Sequence, residues 1–305
     1  MELFWHMKTS LGNALARFHI AFFRWLESCL SPDVFFAVVW PYCLARAILN
    51  NLFKFGPSAP HVPDFLHSSR HWFARVRNRL HLYLDEVLQN FYDRLDAPKW
   101  QKRCDVIGLE HLESARRAGR PVILVYWHLG CYPLLPGWLR CGIKYPLIPF
   151  VGGVSFKRSH LARLQDQYAT VPGIPISIHP DQLRELVKWV RGINLIYIAI
   201  DVPISKQVAV PFCEGWDYQL TSGPIRMASH FGADLIACGM TRVGPWRYRL
   251  FFSRPVPQKF LLDESDGQQA GAHLIAEMLP EFKAHPDQCM DALTQRLMKR
   301  QAARK

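Results

Sequence analysis

The sequence predicts an α/β protein, a mixed and largely buried sheet flanked by helices, with a helical segment ahead of it. Apolar runs of strand length alternate with helical stretches from about Val106 onward. Strands that are apolar throughout need cover on both faces. Before that point apolar residues recur only at helical steps. Half of the 305 residues are hydrophobic, enough for a sizeable core and against wholesale disorder.

The N-terminal part is aromatic and apolar. His19 to Cys29 is interrupted by Arg24 and Glu27, and Val34 to Ile48 follows the capping sequence Ser31-Pro32-Asp33. Pro41 and Arg46 leave the second stretch an uncharged run of about a dozen residues, short of the roughly 20 needed to span a bilayer. Phe35, Phe36, Trp40 and Tyr42 suit a membrane interface. The alternative is an ordinary buried helix hairpin. Nothing at the start reads as a cleavable signal peptide. Gly56-Pro57-Ser58-Ala59-Pro60 and Pro63 form a linker. The chain therefore divides into residues 1–55, a membrane-associating helical segment, and residues 68–305, an α/β domain. Residues 68–100 are its lead-in: from Ser68 to Leu95, Trp72, Val76, Leu80, Leu84, Val87, Leu88 and Phe91 mark one helical face, opposite Arg70, Arg75, Arg77 and Arg79.

Beyond it, the predicted strands are Val122–Tyr126, Leu147–Phe150, Ile174–Ile178, Leu195–Ile200, Val208–Phe212, Leu235–Thr241 and Tyr248–Phe252. The predicted helices are Leu109–Ala118, Leu134–Arg140, Phe156–Tyr168, Asp181–Val190, Pro224–His230 and Ala270–Ala284.

The formal charge is +12, from 37 Lys and Arg against 25 Asp and Glu. Such an excess suits acidic lipid headgroups or an acidic carrier protein. Nucleic acid is set aside, because no RNP, zinc-finger or helix-turn-helix signature occurs. The eight cysteines form no Cys-x-x-Cys pair and read as reduced, buried thiols rather than disulfides or a metal site. No P-loop, no Gly-x-Ser-x-Gly elbow and no His-Glu-x-x-His pair is found. No cofactor or metal is expected.

Val122–Tyr132 carries the chemistry. Its apolar strand delivers His128 into a turn at Gly130, which suits proton transfer. A histidine that only satisfies a loop carbonyl is the alternative. Asp201, just past the strand Leu195–Ile200, is the best carboxylate to orient it, or else a turn residue before Val202-Pro203. Glu214 and Asp217 are weaker candidates, and Cys131 is a possible nucleophile with nothing else in its favour.

The stretch His128-Leu129-Gly130-Cys131-Tyr132-Pro133 resembles the bacterial lauroyl/myristoyl transferases of lipid A biosynthesis, within the lysophospholipid acyltransferase superfamily. So do Gly108-Leu109-Glu110-His111-Leu112, Gly119-Arg120-Pro121, Leu195–Asp201, Val210-Pro211-Phe212, Thr221-Ser222-Gly223-Pro224, Tyr248-Arg249-Leu250 and His285-Pro286-Asp287-Gln288, in that order. The similarity runs from Val106 to Gln288. The sequence departs from the family pattern twice. Pro133 stands where the family has a carboxylate five residues after the histidine, and no arginine follows in Leu147–Gly153.

The resemblance implies fatty acyl transfer from an acyl carrier protein or acyl-CoA thioester to a hydroxyl or amine of a lipid-like acceptor. It places the protein on the cytoplasmic face of an inner membrane, peripheral or shallowly inserted. His128 would be the base and Asp201 the substitute orienting group, with Lys157, Arg158, Thr221 and Gly223 contacting substrate. The other outcome is an inactive homologue that binds lipid or acyl carrier.

Overall fold

In the computed structural model the strand bearing His128 lies inside a six-stranded sheet. The structure describes residues 18, 21–52, 63–67, 72–88, 91, 94–132, 134–145, 147–149, 184, 187–188, 190, 195–203, 206–244, 246–262, 267–289 and 294–300. The strands are β1 (Cys104–Ile107), β2 (Val122–Gly130), β3 (Leu147–Pro149), β4 (Leu195–Ala199), β7 (Asp234–Gly244) and β8 (Arg247–Phe252), in the order β1-β8-β7-β2-β4-β3. Neighbours are parallel except β7 and β8, which form an antiparallel hairpin. The expected mixed α/β fold is therefore present. A second sheet, β5 (Gln207–Cys213), β6 (Trp216–Thr221) and β9 (Leu297–Lys299), is antiparallel.

The two faces of the main sheet bury two hydrophobic clusters. Val122 and Leu124 of β2 point into one, together with helices α1 (Pro32–Leu52), α2 (Trp72–Leu88) and α3 (Leu109–Arg117). Ile123, Val125, Trp127 and Leu129 point into the other, covered by α4 (Gly223–Phe231), α5 (Gln268–Ala284) and the small sheet. This is the period-two alternation of a strand between two layers.

Helix α1 is longer than its uncharged run. It passes through Pro41 and Arg46 for 21 residues, and it is long and apolar enough to cross a membrane by length and composition. Phe35, Val39, Cys43 and Ala47, one every fourth residue, are buried in the first cluster. Arg46 is absorbed by Glu86 at 2.8 Å and by the ring of Tyr83. The opposite side leaves Val34, Val38, Tyr42, Leu49 and Leu52 exposed, and Trp40 is exposed on the flank. Glu27, buried between Arg94 and Lys99, ties the preceding helical residues to the domain.

Three expectations need adjusting. The lead-in helix ends at Leu88, although Phe91 and Leu95 remain buried in the turns that follow, so the apolar spacing outlasts the helix. The helix expected over Leu134–Arg140 is present but widens: an α-helical turn at Leu135–Gly137 continues into a π-helical turn over Trp138–Gly142, where Ile143 N–H reaches the Trp138 carbonyl five residues back. The strand expected at Val208–Phe212 belongs to the small sheet. The expected elements Ile174–Ile178 and Phe156–Tyr168 lie outside the described residues, and so does most of Asp181–Val190.

Candidate active site

Strands β2 and β4 run side by side in parallel, with Tyr126 opposite Ala199. Two residues farther along each strand, the same face and the same edge of the sheet present His128 and Asp201. The ladder continues one step past β4, where Ile200 N–H donates to the Tyr126 carbonyl at 2.9 Å. The Ile200 carbonyl in turn accepts from Thr221 N–H at 2.9 Å. Asp201 is thereby fixed by its neighbour's backbone on both sides.

One carboxylate holds the histidine twice. Asp201 Oδ2 accepts from the His128 backbone N–H at 2.7 Å, and Oδ1 lies 2.7 Å from His128 Nδ1. The first contact satisfies a backbone donor where pairing of β2 with β7 shifts register between Tyr126 and Gly130. The second sets the ring. An ionised carboxylate only accepts, so Nδ1 carries the proton and Nε2 keeps its lone pair. The Asp201 side chain is wholly buried and that of His128 is 19% exposed. The imidazole therefore meets the surface while its partner does not. Short charge-assisted bonds of this kind are about twice as strong as neutral ones.

Aromatic rings wall the imidazole. Tyr132 meets it edge-on at 4.5 Å between centroids. Tyr126 stacks on Tyr197 at 4.1 Å, directly below on the same face. Burial, followed by the charge of Asp201, pushes the Tyr132 phenol up to about 12, so it stays neutral.

Gly130 ends the strand in the left-handed region at φ 58°, where a Cβ would stand 2.4 Å from the Met240 carbonyl oxygen and 2.9 Å from Gln288 Oε1. Gln288 is the clip behind that turn. Its amide donates to the Arg242 carbonyl at 2.8 Å, and its Oε1 accepts from Arg242 N–H at 2.9 Å. Leu129 bridges to Cys289 beside it.

A buried ionic group that sequence reasoning misses lies under the site. Asp85 of α2 pairs with Arg242, which also donates to the Tyr248 hydroxyl at 3.1 Å. A carboxylate on the buried face of a helix and an arginine inside an apolar strand are the signals that reveal it. Cys131 is 1% exposed, and burial and Asp85 push its thiol well above the usual range. It packs as a small apolar residue, and the nucleophile reading is set aside.

Thr221 and Gly223 lie at the start of α4, joined to the site through the Thr221–Ile200 bond. Glu214 is exposed and Asp217 pairs with Arg300 at 2.6 Å, so neither replaces Asp201. Lys157, Arg158 and Pro133 lie outside the described residues. Among the described residues, no group of three or more His, Cys, Asp or Glu side chains is placed to hold a metal ion.

No curated protein matches the chain. The family model for bacterial lipid A biosynthesis acyltransferases matches residues 93–299. That stretch contains both strands of the His128–Asp201 pair and most of the chain. With about two thirds of its length matched, the chain belongs to the bacterial lipid A biosynthesis acyltransferase family.

Proposed function

We propose that this protein moves a fatty acyl group from an acyl carrier protein or acyl-CoA thioester to a hydroxyl or amine of a lipid-like acceptor, with His128 as general base. The observation that carries this reading is the Asp201 carboxylate 2.7 Å from His128 Nδ1, in a chain of an acyltransferase family. His128 Nε2 takes the acceptor proton as the oxygen or nitrogen attacks the thioester carbonyl. The tetrahedral intermediate expels the thiolate, which recovers the proton from the imidazolium. Asp201 keeps the ring in the useful tautomer and stabilises the transient positive charge, the role of the aspartate in a serine-hydrolase triad. It thereby supplies, from just past β4, the carboxylate that the sequence lacks at Pro133.

Thr221 and Gly223 contact the substrate in this reading, as do Lys157 and Arg158. The exposed apolar face of α1 and the +12 charge support attachment to the cytoplasmic face of the inner membrane.

The test is transfer of a labelled acyl chain from acyl carrier protein to a panel of lipid acceptors. His128→Ala lowers transfer by roughly 10²–10⁴, the size of a general-base contribution, with the melting temperature retained. Undiminished transfer by the variant removes His128 from the reaction. Absence of transfer by the unaltered protein across the panel favours the alternative, a homologue that binds lipid or acyl carrier without turning it over.

A further inference from the structure

A cavity of about 600 Å³ opens between α1, α2 and the β7–β8 hairpin. Its apolar side is made by Phe36, Trp40, Leu80 and Leu84. On its polar side Arg77, Arg242 and Arg249 converge, and among the described residues the only carboxylate in the lining is Asp287, 3.2 Å from Arg77. Behind the lining stand Asp85, which holds Arg242, and Glu281, 3.8 Å from His285. Arg249 has no ion-pair partner among the described residues.

Two lining arginines also carry a buried nitrogen without a hydrogen-bond partner among the described residues, Nε of Arg249 and Nε of Arg242. Arg242 is only 7% exposed. A buried donor left unpaired costs about as much as a lost hydrogen bond, so such groups normally find an acceptor. Two on arginines around one cavity describe a seat for an anion with several oxygens, and guanidinium groups match phosphate in shape and charge. The mouth is apolar. Trp40 and Val243, 37% and 38% exposed, form its lip, with Trp40 on the flank of α1 that carries Phe36. An amphiphile entering through this lip meets the apolar side chains first and the arginines second. The α1 and α2 residues of this wall precede residue 93, where the family match begins.

We propose that this cavity is a lipid site separate from the His128–Asp201 pair: Arg77, Arg242 and Arg249 hold the phosphate of an anionic amphiphile, and its chain lies along Phe36, Trp40, Leu80 and Leu84. The occupant is held there and undergoes no reaction. The site goes beyond acyl transfer and does not depend on it.

The full-length protein is titrated calorimetrically with dodecyl phosphate below its micellar concentration, and separately with inorganic phosphate and with dodecyl maltoside. One dodecyl phosphate binds per chain, at least tenfold tighter than either control. Arg249→Gln weakens it about tenfold or more, the size of a lost charge-assisted hydrogen bond, while Arg249→Lys keeps part of the affinity. Trp40→Ser, a change at the exposed lip, weakens it too and decides the matter if Arg249→Gln fails to fold. His128→Ala binds as the unaltered protein does, which separates this site from the reaction. Inorganic phosphate binding as tightly as dodecyl phosphate assigns the cavity to a free anion and overturns the lipid reading. Undiminished binding by folded Arg249→Gln and by Trp40→Ser, or loss of binding in His128→Ala, overturns the placement.

Discussion

Replacing Asp201 by asparagine tests the site most sharply, because the shape is kept and only the chemistry changes. The carboxylate accepts two bonds, from the His128 backbone N–H and from Nδ1, both at 2.7 Å. An amide has one oxygen for these two donors. If the oxygen turns to Nδ1, its NH₂ group faces the backbone N–H and leaves that donor buried and unpaired, at about 1–3 kcal/mol. If the oxygen stays on the backbone N–H, the NH₂ group faces Nδ1, and the ring answers by moving its proton to Nε2. The second arrangement leaves no buried donor orphaned and wins. It also inverts the tautomer, so the nitrogen that should act as base now bears a proton. An inverted tautomer costs about 10⁴ in the protease triad, and here about 10³–10⁴, or roughly 4–5.5 kcal/mol of barrier, is expected. Combining Asp201→Asn with His128→Ala adds little, because residues acting as one unit are strongly non-additive. Acyl transfer is measured with labelled thioester, and folding by thermal denaturation. Asp201→Asn within about threefold of the unaltered rate would falsify the orienting role.

Other outcomes follow from neighbouring features. Gly130→Ala places a Cβ 2.4 Å from the Met240 carbonyl on a left-handed backbone, and is expected to cost more than about 2 kcal/mol and about 4 °C in melting temperature; an unchanged melt contradicts the strain. Burial, then Arg242 and Arg77, lower the His81 imidazole to about 3 from its ordinary 6.5. The unfolded chain therefore binds the extra proton in that window, and the His81 contribution to stability falls as pH drops from 6.5 toward 3. The fall is about 1 kcal/mol between pH 6.5 and 5.5; His81→Gln flattens it in denaturant titrations, and an equally steep slope in that variant removes His81 as its source. Val38→Asp with Leu49→Asp, both on exposed positions of α1, lowers sedimentation with anionic liposomes and leaves the melt in place. Equal sedimentation argues against attachment through this face.

Much of the sheet was legible in the sequence because its strands are apolar on both faces. β2 and β4 are such runs, and the ends of both were visible in advance, including His128 on one and Asp201 just beyond the other. That the two side chains touch was not legible. It depends on β2 and β4 being adjacent, parallel and paired Tyr126 to Ala199, and a strand's register with a distant partner leaves no mark on its own composition. β1, β6 and β9 were missed for other reasons. β1 alternates half-buried and exposed residues over four positions, β6 carries Asp217 and Gln219, and β9 is three residues long. The Asp85–Arg242 pair is not legible because its partners lie 157 positions apart on a helix and a strand, and nothing local to either ties the two charges together.

The Gln288 clip bears on how the protein comes into being. Gly130 and the strand carrying His128 are made early, and Asp201 follows as β4 is completed. The amide that locks Arg242 behind Gly130, and the Cys289 bridge to Leu129, belong to the far end of the chain. A ribosome therefore releases most of the sheet before the strand end is clamped. Synthesis delivers the histidine first, its carboxylate next, then the hairpin β7–β8, and the brace behind Gly130 only after all six strands of the main sheet.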